Sequence, residues 1–177
     1  MRPKASQDDV NQLALALGSA MAAFGKVENQ LYLLYGALCE PRDVRSPYSV
    51  IYETIVHLDT KLSIIDELVK FKIKNPELLN RWATLHNKIK NKIRRVRNKI
   101  AHWRLWTSSD EKHLPVFLGP PLYFNSNDVP DFGTAHGGAM TAKDLWGHAK
   151  NFEALAQEIR DFIHAYKPGA LPRKSVP

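Results

Sequence analysis

Arg97, Asn98 and His102 are residues of this chain whose types suit chemistry on a phosphodiester. An imidazole titrates near pH 6.5, so it can take or give a proton at neutral pH. A guanidinium stays charged and offers phosphate a fixed fork of donors. RNA can be cut without a metal ion if its own 2′-hydroxyl attacks the adjacent phosphorus. That reaction needs a base, an acid for the leaving oxygen and a cation for the charged transition state.

These residues lie in the stretch 81–104, which holds nine Lys or Arg residues and no Asp or Glu. The whole chain of 177 residues has 25 basic and 18 acidic groups, net +7. Outside the stretch 16 basic groups face 18 acidic ones, so the positive charge is one local patch. Such a patch points to a polyanion partner, because a merely solvated helix mixes signs to gain i,i+4 pairs. Arg94, Arg95, Lys99 and Arg104 are the candidate substrate-binding cations.

The apolar residues of the stretch, Trp82, Leu85, Ile89, Ile93, Val96, Ile100 and Trp103, recur every three or four positions and predict one long amphipathic helix. At about 100° per residue, Arg94, Asn98 and His102 form a line opposite that stripe. Arg97 flanks the stripe and falls about 140° from His102. One regular helix therefore does not bring both onto one phosphate. Unwinding of the helix near Ala101 would let His102 turn back towards Arg97. Glu28, on the flank of the first helix, is a candidate to orient either residue. Trp103 and Trp106 could stack on a base, although Trp103 also falls on the apolar stripe.

Four or five helices must position these side chains. Ser6 with Asp9 forms a capping box, and a stripe from Leu13 to Leu38 predicts the first helix, ending before Pro41. Ala14, Gly18, Ala22 and Gly25 run beside that stripe and predict close approach by another helix, from within the chain or from a second copy. Ser46-Pro47 opens a second helical segment whose stripe runs from Ile51 to Val69, with Asp59-Thr60 as its possible break. Asn75-Pro76 caps the basic helix. Thr141 with Asp144 caps the last helix, whose stripe runs from Leu145 to Tyr166.

Residues 107–140 carry turn signals and read as a long loop or a small β-hairpin, pairing Pro115–Leu118 with Leu122–Phe124. The fold class is thus all-α: an up-down bundle of four or five helices in one domain over 1–167, with an irregular insertion at 107–140 and a flexible tail at 168–177.

Arg97-Asn98-Lys99-Ile100-Ala101-His102 resembles the Arg-x4-6-His motif of the HEPN family, all-α proteins many of which are metal-independent ribonucleases of toxin–antitoxin and defence systems. A polar residue following the arginine and a place late in a basic bundle helix match as well. The resemblance implies a ribonuclease in which His102 is the general base or acid, Arg97 the phosphate-stabilising cation and Asn98 an orienting group. It also implies a homodimer in which two motifs line one cleft, and an antitoxin protein as a further partner. The alternatives are a catalytically inactive module binding RNA or a nucleotide, and a helical adaptor docking an acidic protein.

Neither cofactor nor metal is expected: phosphate-loop, dinucleotide and H-E-x-x-H signatures are absent, and the seven histidines show no ligand pairing. The single cysteine, Cys39, fits a reducing cytoplasm, and no apolar run suits a signal peptide or membrane span.

Overall fold

The computed structural model describes residues 5–39, 47–107, 116–120 and 138–167. His113, His136, Leu122–Phe124, the cap at Ser46 and the tail at 168–177 lie outside the described residues. Among the described residues the chain is mostly helical with one small sheet. Its elements are α1 (Gln7–Cys39), α2 (Pro47–Thr54), α3 (Leu58–Lys72), α4 (Pro76–Lys88), a π-helical turn (Ile89–Ile93), α5 (Arg94–His102), β1 (Arg104–Thr107), β2 (Val116–Gly119) and α6 (Ala142–Tyr166).

Local sequence sets the helix starts. At α1 the Ser6 backbone N–H donates to Asp9 Oδ2 at 2.9 Å and the Asp9 N–H donates back to Ser6 Oγ at 3.1 Å. At α4 the Asn75 side chain accepts from the N–H of Glu77 at 2.8 Å and of Leu78 at 3.3 Å. At α6 Thr141 and Asp144 repeat the reciprocal box. Each side chain satisfies N–H groups that a helix start leaves without a partner.

The chain divides into two compact units. One comprises Met1–Phe24 and Arg95–Phe152. Its interior holds Leu13, Ala20, Phe24, Ile100, Leu145 and Phe152, all buried, and the Phe24 and Phe152 rings meet edge-on at 5.5 Å. The other comprises Gly25–Arg94 and Glu153–Pro177. Trp82 is its largest fully buried side chain, 5.7 Å from the Phe162 ring.

Four expectations change. The segment after Pro47 breaks at residues 55–57, ahead of Asp59, and Ile51 is exposed while Tyr52 takes the buried place. The expected strand at Pro115–Leu118 is β2, which pairs antiparallel with β1, a segment with no predicted strand, Arg104 opposite Gly119 and Thr107 opposite Val116, and Leu118 also bridges to Met140. A Cβ on Gly119 would lie 3.0 Å from the Phe117 ring and 3.2 Å from Trp106, so a larger residue there would push two aromatic rings aside. Ala14, Gly18, Ala22 and Gly25 are all exposed, and a Cβ at either glycine would meet nothing within 4 Å. No helix of this chain approaches them among the described residues.

The fourth change is in the basic helix. It is α-helical only to Lys88, passes through the π turn and resumes as α5, where the Arg94 N–H donates to the Ile89 carbonyl five residues back. Arg104 stands on β1, outside any helix.

Candidate functional site on α5

The α5 segment carries the Arg-Asn-His set. Ile100 is buried and anchors the helix in its unit. The opposite side holds Asn98 and His102, both exposed, with exposed Arg95 beside them. Two members of the expected polar line, Asn98 and His102, are thus exposed on α5, whereas the third, Arg94, is half-buried and paired with Asp59.

Arg97 stands at the edge of the buried face. Its guanidinium lies 5.8 Å from the centroid of the Phe24 ring on α1, within cation–π range. A long contact of 3.5 Å runs from its Nη1 to Asn98 Oδ1. That placement leads the guanidinium towards α1. His102 forms no hydrogen bond or ion pair among the described residues. The helix does not unwind near Ala101: it continues to His102, and the Trp103 N–H donates to the Lys99 carbonyl at 2.8 Å. In one copy of the chain Arg97 and His102 thus remain about 140° apart around the helix and about 7.5 Å apart along it.

Lys99 lies 4.7 Å over the Trp103 ring. Trp103 and Trp106 are half-buried, so Trp103 is not a core residue and both retain exposed area. Nearby on α6, burial pushes the His148 imidazole below its ordinary value against the pull of Asp144, and the Lys99 charge adds to the fall. Periodicity marks His148 only as an ordinary helix histidine. Glu28 belongs to the other unit, where its charge adds to the effect of burial in pushing the Tyr52 hydroxyl up.

The acid-free stretch is not free of acids in space. Arg94 Nη1 pairs with Asp59 Oδ2 of α3 at 2.7 Å, and Lys88 Nζ pairs with Glu158 Oε1 of α6 at 2.6 Å. Among the described residues Arg95 and Arg104 make no ion pair and are exposed. Of the four candidate substrate-binding cations, Arg94 has an acidic partner, and Arg95, Lys99 and Arg104 have none among the described residues.

No protein-family model, curated protein or solved structure matches this chain. Among the described residues no group of three or more His, Cys, Asp or Glu could hold a metal ion, and no helix is long and apolar enough to cross a membrane.

Proposed function

We propose that the chain is an RNA endonuclease of the HEPN type, acting as a homodimer with a HEPN-like helical architecture. The observation that carries this is the exposed Asn98–His102 face of α5, bordered by cations that no acid among the described residues neutralises. His102 removes the 2′-hydroxyl proton, the freed oxygen attacks phosphorus, and the bond to the 5′-oxygen breaks. The 5′-oxygen takes up a proton from an imidazolium, leaving a 2′,3′-cyclic phosphate and a 5′-hydroxyl. Arg97 carries the transition-state charge and Asn98 orients the phosphate. Because Arg97 and His102 diverge on one helix, two copies of the motif supply one site. A toxin or defence role with an antitoxin partner belongs to the same reading.

Cleavage of total RNA in the presence of EDTA tests it. The pure protein should cut RNA, and His102→Ala and Arg97→Ala should each slow cleavage by about 100-fold or more. Helical content should be unchanged in His102→Ala, since His102 is exposed. Undiminished cleavage by His102→Ala sinks the assignment. The divergence of Arg97 from His102 favours one second reading, a module that binds RNA without cutting it. Salt-sensitive binding with no cleavage product from the wild-type protein would select that reading.

A further inference from the structure

In the unit of Gly25–Arg94 and Glu153–Pro177, a groove of about 370 Å³ lies between α3 and the run from α4 through the π turn to Arg94. Its walls have opposite charge. Asp59, Asp66 and Glu67 line the α3 side; His86, Lys90 and Arg94 line the other. Leu62, 2% exposed, contributes an apolar patch to the lining. From this arrangement we infer that the groove binds a small zwitterion, a free α-amino acid, whose ammonium and carboxylate groups meet opposite walls.

The π turn makes the basic wall. In an uninterrupted α-helix Arg94 would fall about 80° around the axis from His86. One extra residue in the turn brings it back to within about 20°, so that His86, Lys90 and Arg94 face one groove. Single π turns of this kind recur at functional sites.

The bonds already made within the groove show which atoms remain for a ligand. Asp66 is fully engaged: its Oδ1 accepts from Trp82 Nε1 at 2.9 Å and its Oδ2 takes Lys70 Nζ at 2.6 Å. Asp59 uses Oδ2 for Arg94, and Glu67 uses Oε1 for Lys70 at 3.0 Å. The second oxygen of each of these two carboxylates has no hydrogen-bond partner among the described residues. On the facing wall Lys90 and His86 form no hydrogen bond or ion pair among the described residues, although His86 lies 5.9 Å from the Trp82 ring and acts on the Asp66 carboxylate through space.

Two acceptors on one side and two donors on the other suit a ligand with both signs. The charges choose between ligand classes. Three carboxylates face Lys90 and Arg94, with Lys70 beside them, so the formal charges cancel. A phosphate or other plain anion would meet the carboxylates, and a plain cation would meet Lys90. A molecule of zero net charge with separated ends matches both walls. The volume is at the small end of ligand pockets, which suits a metabolite and excludes a folded segment.

Titration calorimetry on the full chain with each of the twenty free amino acids tests the inference, followed by the N-acetyl and amide forms of the tightest binder. At least one free amino acid should bind saturably. Acetylation and amidation should each weaken it about tenfold or more, as loss of a charge-assisted hydrogen bond does. Lys90→Ala and Glu67→Gln should weaken it similarly while leaving the unliganded melting temperature in place, because Lys90 is exposed and Glu67 is 76% exposed. Failure of all twenty to bind overturns the inference, as does binding unaffected by acetylation or by Lys90→Ala. None of these outcomes bears on His102 and RNA cleavage.

Discussion

Asp66 ties α3 to α4 through one carboxylate. It accepts from the buried indole of Trp82 and pairs with Lys70. Burial alone would raise its pKa, but the hydrogen bonds from Lys70 and Trp82 outweigh that, and the carboxyl is held below its ordinary value. The sign follows from linkage: a carboxyl lowered in the folded state adds stability above its unfolded pKa and loses it as pH falls through the folded one. Asp66→Asn should therefore cost about 1–3 kcal/mol at neutral pH, as expected for weakening a partly buried charged pairing. The difference from wild type should shrink on acidification to about pH 3, below the ordinary carboxylate range. Urea unfolding at both pH values measures it, and a gap that stays constant would contradict the pairing. Asp66 shows what residue-level reading misses. Trp82 is legible as a core position from periodicity, but its polar partner lies 16 residues away, and nothing in local spacing marks it. Arg94 hides its role for the same reason: its place on the helix follows from spacing, while its partner, Asp59, is 35 residues earlier.

Helix starts are legible because a capping box is a contact within one turn, fully written in four residues. The π turn is not. The apolar spacing of Leu85, Ile89, Ile93, Val96 and Ile100 fits an unbroken α-helix equally well, so only tertiary packing decides that an extra residue is taken up. The line of small residues on α1 suggests a close neighbour, yet exposed Leu15 and Met21 flank it, and a Cβ built at Gly18 or Gly25 meets nothing within 4 Å. Glycine then costs helix stability with no gain in packing. Gly18→Ala and Gly25→Ala should each stabilise the chain by about 0.5–1 kcal/mol. For this chain length that is a rise of about 1–4 °C in thermal unfolding. Melting at low and high protein concentration should agree on that rise. A fall confined to high concentration would instead place a second copy of the chain against this line, since the added methyl groups would then separate two helices.

On the scale of the whole molecule, the net charge of +7 is concentrated in one segment, and the fold partly redistributes it. Lys88 and Arg94 are drawn into ion pairs with α6 and α3. These partly exposed pairs are worth little to stability, but they subtract two cations from any surface offered to RNA. What remains beside Asn98 and His102 is Arg95, Arg97, Lys99 and, on β1, Arg104. If each of these four meets one phosphate of single-stranded RNA, log K should fall with log salt at a slope of about −3, since each contact releases condensed counterions. Raising salt from about 50 to about 200 mM should then weaken binding about 50-fold. Replacing Arg95 and Arg104 together by Glu should cut the slope by about half, whereas Lys88→Glu should change it little, because Lys88 already has Glu158 as its partner. Fluorescence anisotropy with a short single-stranded RNA, using His102→Ala protein so that the proposed cleavage does not intervene, reads all three. A slope near −6 would mean that Lys88, Arg94 and the cations of the π turn also reach the backbone, and that RNA, rather than α3 and α6, takes their charge.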